Sequence, residues 1–303
     1  IWNASRFALM NMEGYDPQAK LAPYTLADKW ILSRLAHTEK EVTGLRGRFE
    51  RGEAGRLVYE VIGGEVCDWD MELATPRLYN KENAEERATA QHVICEVLSS
   101  SMKLLHPYMP FITEEIWQCL PHEGDSIMVA AWPKSDEKLF DAEAEAAMNA
   151  IMEAIKAIRN MRAEVNVAPG KKVPAILLVA DELQQVVADN QSYIKLMASV
   201  DELSIWPAGG NKPENAMAAV TKGIEVYLPL KGLIDIEKET QRLNKELDGM
   251  TKEIGRIEGK LNNAGFLAKA PAEVVEKEKA KAQEIAGKMQ AIQERLAYLK
   301  NLE

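Results

Sequence analysis

Hydrophobic spacing predicts two long helices at the end of the chain. Apolar side chains there recur at alternating intervals of three and four residues, which is the heptad pattern of a coiled coil. The first run is Leu233, Ile236, Thr240, Leu243, Leu247, Met250, Ile254, Ile257 and Leu261; the second is Val275, Glu278, Ala282, Ile285, Met289, Ile292, Leu296 and Leu299. Because a turn containing Gly265 separates the runs, we expect an antiparallel hairpin whose arms of about 30 residues each extend roughly 45 Å.

The beginning of the chain has the pattern of several helices. Thr25 followed by Asp28 is a capping box that starts a helix, and further helices are expected at about 55–78 and 84–105. Pro107 and Pro110 end the last of these because proline lacks a backbone donor. A short helix with Ile116 and Trp117 follows them. Long helices with short connections predict a helical bundle.

The spacing of apolar residues changes in the middle of the chain. Residues 144–165 have a helical apolar stripe, whereas 175–179, 204–206 and the alternating 224–230 have strand character. A helix is expected at about 183–199. This combination indicates a small α/β unit.

The fold class is therefore mainly α, in three regions. These are a helical bundle over 1–143, a small α/β junction domain over 144–232 and an antiparallel coiled-coil arm over 233–303. Charge follows the same divisions, with net values of −9, −1 and 0 that add to the total of −10 over 303 residues. Such an acidic chain gives no support from composition alone to nucleic-acid binding, which depends on local basic patches.

The composition is that of an ordinary soluble protein. No apolar run approaches 18 residues, so we expect no membrane span, and no secretory signal opens the chain. Three cysteines form no disulfide framework and indicate a reduced, cytoplasmic compartment. The chain starts mid-pattern at Ile1, which suggests a piece of a longer protein.

Catalytic signatures are missing from the sequence. It contains no phosphate-binding loop, dinucleotide fingerprint or nucleophile elbow. Two pairs, His92 with Cys95 and Cys119 with His122, have a spacing compatible with zinc. We expect no metal site, because cysteines in apolar helices are usually buried as small hydrophobes.

Several longer strings resemble one enzyme family. The anticodon-binding bundle of class I aminoacyl-tRNA synthetases is similar to Trp2-Asn-Ala-Ser-Arg-Phe7, Leu26-Ala-Asp-Lys-Trp-Ile-Leu-Ser-Arg-Leu35, Cys67-Asp-Trp69 and Leu104-Leu-His-Pro-Tyr-Met-Pro-Phe-Ile-Thr-Glu-Glu-Ile-Trp117. The bacterial valyl-tRNA synthetase family is resembled by Ala157-Ile-Arg-Asn-Met-Arg-Ala-Glu-Val-Asn-Val-Ala-Pro169, Leu228-Pro-Leu-Lys-Gly-Leu-Ile-Asp235 and Gly265-Phe-Leu-Ala-Lys-Ala-Pro-Ala-Glu-Val-Val275. The resemblance covers the whole chain in the right order.

The resemblance implies tRNA recognition without catalysis by this chain. The class signatures His-Ile-Gly-His and Lys-Met-Ser-Lys-Ser do not occur in it, and neither does the editing domain. ATP and magnesium are implied for the parent valine–tRNA ligase, and no cofactor for this fragment. The implied partner is a valine-accepting tRNA, with no DNA or membrane partner, and the chain is expected to be a monomer in the cytoplasm.

The resemblance also assigns roles to individual residues of the bundle. An aromatic side chain at the position of Phe7 stacks on an anticodon base, and an apolar contact falls on Met71. The alternative for both residues is an ordinary place in the bundle core. Asp70 stands where the family usually has tyrosine, and Gly63-Gly64 stand where it has bulky residues; Asp70 would put negative charge toward the RNA.

Basic residues are the candidates elsewhere. In the coiled coil, the resemblance places Arg256 and Lys281 against the outer corner of tRNA; the alternative is a solvated helix face. In the middle region, the densest positive cluster could meet phosphates or simply solubilise the junction. It consists of Arg159, Arg162, Lys171 and Lys172. The alternative function for the whole chain is a structural or partner-binding helical protein, including a degenerate synthetase paralogue, that assembles through its coiled coil.

Overall fold

The computed structural model describes residues 1–229, 236–263 and 272–300 of the chain. Within these ranges the chain forms a helical bundle, a small four-stranded sheet with helices, and a pair of long helices, so the predicted fold class is confirmed. No helix among the described residues is long and apolar enough to span a membrane.

Six α-helices build the bundle. They are α1 (Trp2–Met10), α2 (Leu26–Gly47), α3 (Arg51–Val61), α4 (Met71–Tyr79), α5 (Ala84–Leu105) and α6 (Pro110–Gln118). Helix α2 packs against α3 and α5, while α5 also contacts α4 and α6. Trp30 and Trp117 are among the largest fully buried side chains of this core. The expected range of α5 is confirmed.

Helix α2 begins at the capping box that the sequence predicts. The backbone nitrogen of Asp28 donates to Thr25 Oγ1 over 3.3 Å, and the backbone nitrogen of Thr25 donates to Asp28 Oδ2 over 2.9 Å. Two amide groups that the first helical turn would leave without partners are thereby satisfied.

The helix expected at about 55–78 is longer and less regular than the sequence suggests. Between α3 and α4 the chain continues as a π-helical segment, Ile62–Asp70, and the residues that flank it, Val61 and Met71, keep helical backbone angles. Gly63 and Gly64 lie in this segment, and a Cβ atom added to either would meet nothing within 4 Å. A π-helix turns by a smaller angle per residue than an α-helix. The side chains of α4 therefore point in directions other than those an uninterrupted α-helix would give them.

The middle region combines three helices with one sheet. The helices are α7 (Ala142–Glu164), α8 (Asp181–Asp189) and α9 (Gln191–Ala198), and the strands are β1 (Val173–Val179), β2 (Val200–Pro207), β3 (Ala216–Thr221) and β4 (Ile224–Pro229). The strand order is β2-β1-β4-β3, with β1 and β2 parallel and the other neighbours antiparallel.

Two details of this region differ from the expectation. Strand β3 was not predicted, because Ala216-Met-Ala-Ala-Val-Thr221 is rich in alanine, which is depleted in strands. The single helix expected at about 183–199 is two helices, which meet at Asn190. The Asn190 side chain donates to the carbonyl of Val186 over 2.8 Å and so ends α8.

Helix α7 joins the bundle to the sheet. It contacts α2 of the bundle as well as β3, β4 and α9. Ile151, Ile155 and Ile158 on this helix are fully buried. One continuous apolar core therefore runs from the bundle to the sheet, and the domain limits given above stay predictions.

The two heptad helices pack along the predicted seam. They are α10 (Ile236–Leu261) and α11 (Ala272–Lys300), and they contact each other. Leu243 and Ile257 of α10 and Ile285 and Ile292 of α11 are buried at heptad positions. The expected turn around Gly265, and Leu233 at the start of the first run, lie outside the described residues.

Candidate nucleic-acid interface

The predicted stacking residue Phe7 lies on α1 and is half-buried against the bundle core. Its backbone carbonyl accepts a hydrogen bond of 2.9 Å from the Asn11 side chain at the end of the helix. Phe7 thus has both an exposed part and a packed part, which leaves the stacking role a prediction.

Met71 is not at the surface. It is 5% exposed and belongs to the bundle core, at the point where the π-helical segment passes into α4. A base could reach it only if the bundle opened locally. The structure therefore corresponds to the core alternative for Met71, and its predicted RNA contact is not supported.

Asp70 does not face solvent either, so the expectation that it brings negative charge toward RNA has to be corrected. It is 2% exposed, and its Oδ2 atom has no hydrogen-bond partner among the described residues. Burial, and then the nearby Asp28 carboxylate, raise the pKa of Asp70 to about 7, against the opposing charge of Arg77.

The positive cluster of the middle region is only partly available to a ligand. Arg162 is 7% exposed and donates to the carbonyl oxygens of Ser199 (3.0 Å) and Pro169 (3.4 Å). Burial lowers the pKa of Arg162. Arg162 therefore ties the end of α7 to the start of β2, and the idea that it meets phosphates has to be corrected.

The other members of this cluster are exposed. Arg159 is exposed, and its Nε donates to the Met197 carbonyl over 2.8 Å. Its guanidinium also lies 5.6 Å from the ring centroid of Trp69. Lys171 and Lys172 are exposed on the turn before β1. Arg159 is thus positioned by the protein, and phosphate contact by these three residues stays a prediction.

One flank of the coiled coil carries three cations near a single carboxylate. Lys281 on α11 forms an ion pair of 2.7 Å with Glu253 on α10, across the two helices. The hydrogen bond from Lys281, followed by the charges of Arg256 and Lys288, holds the pKa of Glu253 below its ordinary range. Arg256, Lys281 and Lys288 thus all act on the charge of one carboxylate, and Lys288 is itself paired with Glu284. We call this surface the basic flank.

Arg256 is the most available cation of the basic flank. It is exposed and makes no hydrogen bond or ion pair with the described residues. It precedes the buried seam residue Ile257 and so lies off the seam. A planar guanidinium in this position can stack on a base pair or bind a phosphate.

The candidate zinc ligands have other contacts in the structure. His92 Nδ1 lies 3.4 Å from the Tyr15 hydroxyl, and the His122 ring lies 3.9 Å from that of Trp117. Cys95 is buried, and Cys119 is exposed. No group of three or more possible metal ligands occurs within the described ranges.

Several aromatic side chains that the sequence did not single out are exposed in the structure, among them Phe111 and Trp2. Phe111, in the first turn of α6, is 90% exposed, and Trp2 on α1 is 54% exposed. Trp2 lies in the motif already quoted, but its exposure follows from how α1 sits on the bundle. Phe111 follows Pro110, which begins α6, and nothing in the local sequence signals its exposure.

Comparisons with known proteins agree with this arrangement. A family model described as the anticodon-binding domain of tRNA ligase matches residues 28–177, and one described as the valyl tRNA synthetase tRNA binding arm matches residues 235–300. The chain is 48% identical over 301 residues to a valine–tRNA ligase of Carboxydothermus hydrogenoformans. It is 47% identical over 303 residues to that of Geobacillus stearothermophilus and 44% identical over 303 residues to that of Bacillus subtilis.

These relatives are much longer than the chain. Each comparison covers 99% of this chain but 34% of the relative. The chain thus spans about one third of the length of the curated relatives it matches, in their C-terminal part.

Proposed function

The chain belongs to the valine–tRNA ligase family, as the C-terminal part that carries the anticodon-binding domain and the tRNA-binding arm, and from this we propose that it holds one valine-accepting tRNA at two places. The bundle takes the anticodon end, and the basic flank of the coiled coil takes a distant part of the same molecule. The proposal is supported by the two family models, the anticodon-binding domain and the tRNA-binding arm, which match successive parts of this one chain.

The availability of the coiled-coil flank supports the proposal for the arm. The seam residues Leu243, Ile257, Ile285 and Ile292 are buried between α10 and α11, so they are not free to dock another chain. What α10 and α11 offer to a partner is their charged exterior, where Arg256 has no ion pair with the described residues. This argues against the alternative of an assembly protein that pairs through its heptads.

The acidic total charge is compatible with this role. Phosphates respond to charges within about one Debye length, roughly 8 Å at physiological salt. The net charge of the last 71 residues is zero, whereas that of the bundle region is −9. Binding at two tethered places raises the overall affinity without new contacts at either place.

The wider activity is also a proposal. We propose that the parent protein attaches valine to tRNA, with ATP and magnesium bound by parts of the relatives that this chain does not cover. Its expected location is the cytoplasm. The fragment is proposed to act as a monomer, to need no cofactor and to have no DNA partner.

A gel-shift titration tests the proposal directly. Valine tRNA should bind the chain, and the affinity should fall steeply between about 50 and 200 mM salt as counterions are released. A non-cognate tRNA and a DNA duplex of equal length are the controls, and light scattering reports the oligomeric state. Equal binding of the DNA duplex, or no binding together with oligomers of the protein, would contradict the proposal.

A further inference from the structure

A small pocket beside the last turns of α2 and α5 gathers basic side chains in a region that is acidic overall. Arg46 of α2 and Lys103 of α5 line it, together with His106, which follows α5, and Trp132. Of the described residues that line this pocket, none is acidic, although residues 1–143 carry a net charge of −9. We call it the basic pocket. Its lining favours an anion as the ligand.

Arg46 is positioned by an aromatic ring and keeps its charge available. The Arg46 guanidinium lies 3.9 Å from the ring centroid of Trp132, and Trp132 Nε1 donates to Thr43 Oγ1 over 2.9 Å. The side chains of Arg46 and Lys103 make no hydrogen bond or ion pair in the part of the chain that the structure describes. Contact with a ring does not neutralise a guanidinium, whose fork of N–H donors matches the oxygens of a phosphate.

His106 offers the pocket one ring nitrogen. The Thr113 hydroxyl donates to the Met109 carbonyl over 2.8 Å, so its oxygen accepts from His106 Nδ1, which lies 2.7 Å away. Nε2 is then left without a partner among the described residues. It can accept the hydrogen of a phosphate O–H or, once protonated, donate to a phosphate oxygen. Glu114, whose charge interacts with that of His106, accepts hydrogen bonds from other residues and does not line the pocket.

A larger cavity adjoins the basic pocket, because Lys103, Ala131 and Trp132 line both of them. The basic pocket has a volume of about 170 Å³, which is less than the roughly 300–1,000 Å³ of sites that hold a whole small molecule. The adjoining cavity has a volume of about 560 Å³. The basic pocket therefore suits one charged group, and the adjoining cavity suits the rest of the same ligand.

The charges of the adjoining cavity differ from those of the basic pocket. Glu39, which is 6% exposed, lines it together with Glu96, Asp136 and Lys134. Burial raises the pKa of Glu39, while the charge of Lys103 acts in the opposite sense. A second anionic group of the ligand would meet these carboxylates and be repelled, whereas a hydroxyl or an ammonium group would be accepted.

We infer that the basic pocket binds the phosphate group of a small phosphate monoester whose other end is neutral or positively charged. The fork of Arg46 binds two phosphate oxygens, the Lys103 ammonium supplies a second positive charge, and His106 Nε2 meets a third oxygen. A carboxylate has only two oxygens and would leave one of these groups without a partner. The site lies away from α1 and does not rest on the proposed function.

Phosphate groups also occur in the backbone of RNA, so the experiment has to separate the two sources. The adjoining cavity favours the small molecule, because it has room for the rest of one ligand. Inorganic phosphate and phosphoethanolamine are the small probes, and an anticodon stem-loop is the RNA probe. 3-Phosphoglycerate, which adds a carboxylate to the phosphate, tests the charge of the adjoining cavity. All four are titrated against the full chain at constant ionic strength.

The histidine resonances in NMR spectra measure binding. The chain has four histidines, so their imidazole signals can be followed one by one, and His106→Gln assigns the signal of His106. This signal should shift saturably with inorganic phosphate and with phosphoethanolamine. We expect 3-phosphoglycerate to bind more weakly than phosphoethanolamine; tighter binding would contradict the preference for a neutral or cationic end.

Two pairs of substitutions locate the ligand. Arg46→Gln should weaken phosphoethanolamine binding about tenfold, because it removes a charge-assisted contact, whereas Arg48→Gln removes an exposed arginine that pairs with Glu50 and should have little effect. Met128→Glu places a carboxylate on the wall of the pocket and should weaken binding too, whereas Val129→Glu adds the same charge outside it. Met128 is 76% exposed and Val129 is 79% exposed, so neither change disturbs the core.

The outcomes decide the assignment. Weaker binding of the small probes by Arg46→Gln and Met128→Glu, but not by their controls, supports the site. The inference is wrong if the His106 signal shows no saturable shift, if variants and controls behave alike, or if only the stem-loop responds. Lower stability of Arg46→Gln with unchanged phosphate affinity would also contradict it, because Arg46 would then serve only the end of α2. Failure of tRNA binding would affect the proposed function and leave this result standing.

Discussion

Arg77 binds Asp28 through two parallel hydrogen bonds of 2.7 Å each, from Nη1 to Oδ2 and from Nη2 to Oδ1. The Asp28 side chain is 1% exposed and that of Arg77 is 14% exposed, so the pair is almost out of water. The same carboxylate caps the first turn of α2. One buried ion pair therefore joins the beginning of α2 to the end of α4 and fixes two helices of the bundle.

Replacing Arg77 should destabilise the protein strongly. Arg77→Ala leaves the buried Asp28 carboxylate without its cation, which typically costs about 3–5 kcal/mol. Urea unfolding measures the change. Arg56→Ala is the control, because exposed Arg56 pairs with Glu53 and Glu60 in water and its loss should be small. Similar losses for both variants would show that the Arg77 pair has no special importance.

Asp70 should make stability depend on pH. Its pKa is about 7 in the folded chain against an ordinary value of 3.8. Between these values the unfolded chain has released a proton that the folded chain keeps, so stability should fall as pH rises from about 4 to 7 and then level off. Chemical unfolding of the protein and of Asp70→Asn at several pH values measures this.

The contribution of Asp70 is the difference between those two curves. Asp70→Asn cannot ionise, so its advantage over the unchanged protein should be larger at pH 8 than at pH 5. Parallel curves for the two proteins would mean that Asp70 does not titrate in this range. The facing charged groups, Asp28 and Arg77, are the same in both proteins and cancel in the comparison.

The glycines of the π-helical segment should be replaceable. Gly63→Ala and Gly64→Ala add a Cβ that meets nothing within 4 Å, and each should stabilise the chain by up to about 1 kcal/mol. Gly55→Ala is the opposite case, because its Cβ would lie 2.8 Å from a ring carbon of Tyr108. Thermal unfolding should rank the first two variants above the unchanged protein and Gly55→Ala below it; the reverse order would contradict the packing seen here.

Substitutions at Phe7 and Met71 should affect different properties, RNA binding for Phe7 and stability for Met71. Phe7→Ala should weaken anticodon stem-loop binding by about 1–3 kcal/mol if the exposed part of the ring stacks on a base, with the fold retained. Met71→Ala should instead lower the free energy of unfolding by about 2–5 kcal/mol, because it empties a core position. Stem-loop titration and urea unfolding of both variants measure the two effects. If Phe7→Ala loses stability but binds the stem-loop as before, Phe7 is a core residue and does not stack on a base.

Glu253 should lower the affinity of the basic flank for tRNA. Glu253→Gln removes the carboxylate that pairs with Lys281, so full-length tRNA should bind more tightly and with a steeper salt dependence. Arg256→Gln should have the opposite effect on affinity. Gel shifts at several salt concentrations measure both, with an anticodon stem-loop as the probe that should not respond. If Glu253→Gln leaves tRNA binding unchanged, the flank does not contact RNA.

The sequence by itself determined the elements whose evidence is local. The Thr25–Asp28 capping box lies within one helical turn, and the heptad seam depends only on a repeated spacing. Both appear in the structure as predicted, with Leu243 and Ile285 among the buried seam residues. The exposed position of Arg256 follows from the same spacing, because Arg256 is not one of the seam residues that face the partner helix.

Only the tertiary structure decided which polar groups and candidate contacts are buried. Asp70 ends a π-helical segment and Met71 follows it; because this segment changes the rotation per residue, a regular helical spacing cannot place them. Arg162 looks like a surface cation in the sequence, but it binds the carbonyl of Ser199, 37 residues away, as well as that of nearby Pro169. The contact between α1 and α6 likewise joins segments about 100 residues apart in the chain, and no local pattern predicts it.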